Sequence, residues 1–450
     1  MHPHFIYRLL LLCALLTGYV TALFAQREDS CLVAAERAYQ YFAAGRGDSL
    51  YAMLGKEHQA KASPLLFKEA LRQTERQVGK LQSHSPWQRE SAQQLTFYYS
   101  DLQFERYSFR LLTAFDADGS LSTFRLVPVP AATTAQPVVR DERTTRQRDI
   151  VVGADGFQLP GTLTTPVGNR RFPAVILVHG SGPNDRDETI GPNKPFRDLA
   201  WGLAARGIAS IRYDKRTKVY GAGYVPQGGQ ANYDTEAVDD AVAIVAWAKA
   251  QPELCPDSIY LVGHSLGATL APRIAGRAEG LAGIILLAAL ARPLEDALVE
   301  QVSYLASLTD ASTAQSRQSV EKVKQQAANV KRLGTPAFCD TIGLPLGLPA
   351  SYFLLANRYQ PVVAAAGLSL PILVLQGERD YQVTMQDYGM WRYGLMRKGN
   401  VFFKSYPKLN HLFGEGSGQS TPMEYQQPSP LPAYLMEDIA TFIHTGRLID

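Results

Sequence analysis

The sequence predicts an α/β protein: a mostly parallel sheet with helices on both faces, preceded by a small α+β domain. Three observations carry this. From about Ile150 onward, short apolar runs at 174–178, 209–212, 259–262, 284–287 and 372–375 alternate with amphipathic helical stretches such as 196–206 and 236–250. That alternation is the pattern of parallel strands buried on both faces by helices. Upstream, helical spacing comes first and period-two alternation second, which is the order of an α+β unit. Between them lies a Pro/Ala/Thr-rich stretch without periodicity, Pro128 to Pro137. At 450 residues, 46% hydrophobic and 19% charged, the chain has globular composition and the length of more than one domain.

The N-terminus reads as an export signal over residues 1–25. Arg8 supplies the positive end, 9–20 the apolar run, and the small residues up to Ala25 a cleavage region. The run is too short to span a bilayer, and with no rival elsewhere no integral membrane segment is expected after cleavage. The protein is therefore expected in the periplasm or outside the cell. Lys and Arg number 45 against 42 Asp and Glu, a net charge of +3 that becomes +2 once Arg8 is removed. So even a balance gives no basic stripe and argues against a nucleic-acid partner. Cys31, Cys255 and Cys339 follow the signal; an odd number allows at most one bridge, and no CxxC or Cys/His cluster suggests a metal. Each is expected to be a small buried residue.

Residues 30–128 form the α+β unit. Leu32, Val33, Tyr39 and Phe42 mark a first helix ended by Gly45-Arg46-Gly47, and helical spacing resumes behind Pro64 as far as Leu81. Leu95/Phe97/Tyr99 and Tyr107/Phe109/Leu111 alternate as strands, and Asp118-Gly119 turns the chain into a further strand at 121–124. This unit resembles the cystatin- or NTF2-like domains that precede catalytic domains in some exported bacterial proteins. It contains no catalytic constellation. A linker over 129–140 and a charged stretch to Asp149 lead into the second domain, 141–450.

The chemistry centres on Gly263-His264-Ser265-Leu266-Gly267, which follows the apolar run 259–262 and precedes a helix-forming stretch. G-x-S-x-G between strand and helix is a nucleophile elbow, whose glycines permit a turn too sharp for a β-carbon. A serine needs a base, and the base a third group to orient it, in the chain order Ser, acid, His. The apolar run 371–375 leads into Gln376-Gly377-Glu378-Arg379-Asp380, placing Asp380 beyond the carboxyl end of a strand, where open α/β sheets hold their ligands. Glu378 is the rival acid. After Ser265 the histidines are His411 and His444; His444 sits in a terminal helical pattern, so His411 is the candidate base. The oxyanion hole is assigned to the backbone N–H groups of Leu266 and Ser181, the latter in His179-Gly180-Ser181-Gly182-Pro183, with His179 supporting the loop. Asp185, Asp187 and Glu188 lack metal-ligand spacing and are read as solvated or loop-bracing charges, as are Asp214, Lys215 and Arg216.

From about Arg140 to Asp450 the chain resembles an α/β-hydrolase of the bacterial carboxylesterase type. The resemblance rests on the segment from His179 to Trp201, on Arg212-Tyr213-Asp214-Lys215-Arg216, and on the elbow, Gly377–Asp380 and Asn410-His411. It implies that Ser265, Asp380 and His411 are nucleophile, acid and base, that the substrate is a small-molecule ester, and that neither cofactor nor metal is required. The stretch between Leu287 and Pro371 is expected to form a helical cap at about 293–366, with apolar faces at Leu294, Ala297, Leu298, Val302 and Leu305 and again at Val320, Val323, Val330 and Leu333. A peptidase or thioesterase using the same triad, and a non-catalytic binding protein on the same fold, remain open alternatives.

Overall fold

The computed structural model describes residues 30–61, 63–92, 95–105, 108–116, 118–129, 137–308 and 314–448; the expected export signal, most of the linker and Tyr107 lie outside them. The chain divides into two compact units, with the main boundary along the sequence after Val129.

In the first unit, helix α1 (30–43) is followed by α2 (Gly47–Met53), α3 (Lys56–Lys61) and α4 (Pro64–Val78). Gly45, at φ +66°, ends α1: Arg46 N–H bonds to Tyr41 O and Gly45 N–H to Phe42 O, which satisfies the last carbonyls. Ala35 and Ala38 form the buried face of α1, whereas Leu32 and Val33 are exposed. Strands β1 (Leu81–His84), β2 (Gln88–Ala92), β3 (Leu95–Phe104), β4 (Ser108–Phe115) and β5 (Leu121–Pro128) form an antiparallel sheet around β3 and β4. Leu81 begins a strand rather than extending the helix, because Gly79 turns the backbone to φ +82° after α4. Leu102, Phe104, Leu111 and Val78 make its core.

The second unit is built on an eight-stranded sheet in the order β13-β12-β11-β10-β8-β9-β7-β6. Its strands are β6 (Thr145–Val152), β7 (Leu159–Pro166), β8 (Phe172–Val178), β9 (Ala209–Tyr213), β10 (Leu254–His264), β11 (Gly283–Leu287), β12 (Ile372–Gly377) and β13 (Val401–Tyr406). β9 through β13 pair in parallel with β8 and one another; β6 and β7 are antiparallel. β6 begins inside the stretch read as charged linker. It is an edge strand, with Ile150 and Val152 facing in and Arg146, Arg148 and Asp149 turned out, so its charges mask its alternation.

Both faces of the central strands are covered, which is why they read as continuous apolar runs. Helices α6 (Arg216–Tyr220), α11 (Ala350–Arg358), α12 (Pro361–Ala366) and α13 (Met385–Leu395) lie in the connections between strands. Ala174, Ile176, Val178, Ile259 and Leu261 face one core, shared with α7 (Asp239–Lys249) and α8 (Leu266–Arg277). Val175, Leu177, Tyr260 and Val262 face the other, against α5 (Pro195–Ala204) and α14 (Ala433–Thr445). Each such aliphatic side chain contributes roughly 1.5–3 kcal/mol when fully buried. In register, Gly263 stands opposite Val178, His264 opposite Leu287, Leu287 opposite Leu375, and Gly377 opposite Tyr406. The carboxyl ends of five parallel strands therefore finish level, and the loops that leave them carry the predicted site residues.

Candidate active site

Ser265 occupies the one-residue turn between β10 and α8, at φ +53° and ψ −116°. A non-glycine residue in this region costs about 1–3 kcal/mol and persists only where its surroundings force it. The surroundings here are close backbone contacts. A β-carbon at Gly263 would fall on the backbone of Gly267, and one at Gly267 on the carbonyls of Val178 and His179. Ser265 N–H is bonded to Leu287 O at 2.9 Å, fastening the turn to the next strand. The side chain is half-buried, and among the described residues its hydroxyl makes no hydrogen bond. It stands at the N-terminus of the α8 helix, where the dipole and unpaired N–H groups, Leu266 N–H first, favour negative charge.

Asp380 follows β12 and is 2% exposed. Its Oδ1 accepts the N–H groups of Gln382 (2.7 Å) and Val383 (3.0 Å), and its Oδ2 faces His411 Nδ1 at 2.6 Å. The backbone bonds fix the carboxylate, and the carboxylate fixes the ring so that Nε2 is the nitrogen left for chemistry. Glu378, the rival acid, is exposed and accepts a bond from Ser405 Oγ at 2.7 Å. His444 lies exposed on α14 against Arg206 O. The loop holding His411 is organised by Asn410, whose Oδ1 accepts the N–H groups of Leu412 and Gly414, both at 3.0 Å. Buried Arg379 bonds to the carbonyls of Gly418 (2.6 Å) and Ser417 (3.0 Å) and pairs with Glu424. These two supporting roles went unread in the sequence, although both residues adjoin a predicted site residue.

The loop after β8 lies against the elbow. A β-carbon at Gly180 would stand 3.2 Å from Ser265 Cβ and 3.2 Å from the Glu188 carboxylate. Gly180 N–H donates to Glu188 Oε1 at 2.6 Å, and Gly180 O accepts from Lys215 Nζ at 2.9 Å. Lys215 is itself buried and ion-paired with Glu236. Asp187 pairs with Arg212 and Lys194, Asp214 with Arg186, and Arg216 with Asp240, so these charges brace the loops. Of the solvated and bracing alternatives Glu188 takes the second: it is 1% exposed, holds Gly180 N–H and touches the His264 ring. His179 packs between Phe196 and Tyr213, and burial, outweighing the neighbouring Glu188 carboxylate, pushes its imidazole pKa down to about 4, so that it is neutral near pH 7. Cys31, Cys255 and Cys339 are free and only half-buried. Among the described residues no group of three or more His, Cys, Asp or Glu side chains is placed to hold a metal ion.

Ser181, Ser265, Leu266 and His411 all line a pocket of about 270 Å³, with Asp380 behind His411. Leu294, Leu298 and Gln301 of α9 (Leu294–Leu308) form part of its wall, so the insertion between β11 and β12 reaches the pocket with an apolar face.

Residues 173–415 match the family described as serine aminopeptidase, S33. Over 347 residues the chain is 36% identical to Esterase EstD of Thermotoga maritima, covering 77% of this chain and 79% of that one. Solved structures to which the chain is similar include the esterase domain of a Rhodothermus marinus protein (17% identity, TM-score 0.41, 66% of this chain and 97% of that one) and a hyperthermophilic esterase from Pyrobaculum calidifontis (16%, 0.43, 68% and 87%). A β10–Ser265–α8 elbow in a mostly parallel sheet, a family match over more than half the chain and a relative this similar over most of both sequences lead to one statement: the chain is an α/β-hydrolase of the serine aminopeptidase S33 family.

Proposed function

We propose that this hydrolase cleaves small carboxylic esters through an acyl-enzyme intermediate on Ser265. Ester hydrolysis is the activity that its 36% identity to a named esterase supports. The observation that carries the mechanism is the 2.6 Å contact between His411 Nδ1 and buried Asp380, beside a serine held at positive φ on the same pocket. His411 Nε2 takes the hydroxyl proton as Ser265 Oγ attacks the carbonyl, and Asp380 orients and charge-balances the imidazolium. The N–H groups of Leu266 and Ser181 receive the oxyanion. His411 then protonates the departing alcohol and activates the water that releases the acid. An aminopeptidase would need a carboxylate to hold the substrate's ammonium group. Among the described residues lining the pocket the carboxylate is Glu188, already engaged by Gly180 N–H and His264, which favours the ester reading. A fluorophosphonate probe should label Ser265, and the Ser265→Ala protein should take no label. Labelling at another serine overturns the assignment.

Residues 1–25 direct export in this reading. Protein recovered from the periplasm or medium should begin at Gln26, and an intact Met1 terminus there would exclude cleavage.

A further inference from the structure

We propose that Glu188 and His264 are positioning residues for the oxyanion hole: a buried carboxylate–imidazolium pair that pins the Gly180–Ser181 segment against Ser265 and ties it to the loop of His411. The pair presupposes the Ser265 chemistry proposed above and adds two residues to it.

Four contacts define the arrangement. Glu188 Oε1 accepts Gly180 N–H at 2.6 Å, and Glu188 Oε2 lies 2.9 Å from His264 Nδ1, off the line of an ideal hydrogen bond. His264 Nε2 lies 2.9 Å from His411 O, and Lys215 Nζ donates to Gly180 O at 2.9 Å. Glu188 is 1% and His264 4% exposed. One carboxylate thus joins the oxyanion loop, the residue before the nucleophile and the backbone of the base.

The protonation state follows from the partners. A carbonyl only accepts, so the proton on the His411 contact sits on His264 Nε2. A neutral ring would then turn a lone pair on Nδ1 toward the Glu188 carboxylate, so the contact requires a second proton, which on the ring makes it a cation facing an anion. The charges agree. Burial alone would push the His264 ring down, but the Glu188 carboxylate and its contacts bring it above its ordinary value. Burial pushes Glu188 up, and the His264 ring and Gly180 N–H bring it below its ordinary value. The other titratable groups facing the pair are His411, with its ring 4.8 Å from that of His264, and Asp380 behind it.

The consequence falls on one peptide plane. Gly180 O and Ser181 N–H belong to the same trans peptide and point opposite ways. Lys215, drawing Gly180 O to one side, turns Ser181 N–H to the other and polarises it as a donor. Glu188 fixes the preceding peptide through Gly180 N–H. The cost is visible: Glu188 itself sits at φ +52°, a conformation that a non-glycine residue keeps only when its surroundings over-determine it.

The test combines variants with a measurement on the unaltered protein. Glu188→Gln keeps an oxygen for Gly180 N–H and His264→Gln keeps a donor for His411 O, but neither carries charge. Each should lower kcat by roughly 10- to 100-fold with KM changed less than about threefold, the mark of an interaction made in the transition state. A trifluoromethyl ketone, whose adduct oxygen occupies the oxyanion hole, should lose affinity in parallel. The double variant should be no worse than either single one, because the two act as a unit. In the wild-type protein, a ¹⁵N-histidine NMR titration should show both His264 nitrogens still predominantly protonated at about pH 6.5, where an ordinary imidazole is half-titrated. A neutral His264, near-wild-type kcat in both variants, or multiplicative losses overturns the pair. Activity surviving Ser265→Ala would instead overturn the esterase mechanism and leave the NMR result standing.

Discussion

Asp380 and Glu378 stand two residues apart after β12, yet the fold gives them opposite surroundings. Asp380 is buried and bonded to two N–H groups and the His411 ring; Glu378 is exposed beside Ser405. Ser265→Ala and His411→Ala should therefore each cut kcat by at least about 10⁴-fold, Asp380→Asn by less, and Glu378→Gln hardly at all. Steady-state kinetics on an activated ester decides it, and equal losses in the two acid variants would return the acid assignment to Glu378. Glu188 offers a second test, through linkage. His264, with its value raised by folding, stabilises fully below about 6.5 and ceases to do so as pH rises through its folded value; Glu188, with its value lowered, stabilises fully above about 4.5 and loses this as pH falls through its own. Wild type should thus exceed Glu188→Gln in urea stability most clearly between pH 4.5 and 6.5, with the gap closing on either side. Taking the difference cancels most of the opposing contribution of His179, whose neutral ring costs stability below pH 6.5. A gap independent of pH would mean that Glu188 acts by shape alone. The pairing of Glu188 with His264 was not legible in the sequence, where Glu188 is one acid in a polar run; its role comes from a loop that folds it under Gly180.

The elements most readable in advance are those buried on both faces. β8 and β11, the 259–262 run of β10 and the 372–375 run of β12 are apolar throughout and buried on both faces, and Ser265 and Asp380 could be placed beyond the ends of such runs for that reason. β6 was hidden by its outward charges, and Leu81 went to a strand because Gly79 had already ended the helix. The insertion between β11 and β12 gave its helices through spacing, but only the structure shows which face does what: Leu294 and Leu298 meet the pocket lined by Ser265, while Val323, Ala327 and Val330 of α10 (Ala314–Val330) are buried. A second cavity of about 660 Å³ shares Tyr233, Thr269, Leu290 and Leu294 with that pocket and is lined further on by Pro361, Val362 and Met390. Across a series of p-nitrophenyl esters, kcat/KM should rise by up to ~0.8 kcal/mol per methylene through short and medium acyl chains, then stop when the space is full. Val362→Trp, filling the second cavity, should shorten the chain length at which the rise stops and leave acetate ester turnover unchanged. If the cutoff does not move, the shared residues are a wall and the chain lies elsewhere.

At the scale of the molecule, the residues proposed for catalysis all lie in one of the two units. Every residue brought to the pocket belongs to the chain after Pro130, and the sheet that places them is covered on both faces by helices of the same unit. The cut that respects this packing falls before Pro137 rather than at Arg140, because Val138 packs against the core containing α5 and α14 and Arg140 bonds to Gln147 on β6. A chain of residues 137–450 should therefore be soluble, unfold in a single cooperative transition and hydrolyse an activated acetate ester with kcat within about threefold of the full-length protein. The first unit has its own core of Leu102, Phe104, Leu111 and Val78 and should unfold separately when expressed as 26–129. Thermal melts of the three proteins, with kinetics on the two that contain Ser265, make the comparison. Insoluble or inactive 137–450 would mean that the first unit completes the fold or the pocket. Equal turnover on the acetate ester but a selective loss on larger esters would assign the first unit to substrate choice, leaving the chemistry where the strand ends of the second unit put it.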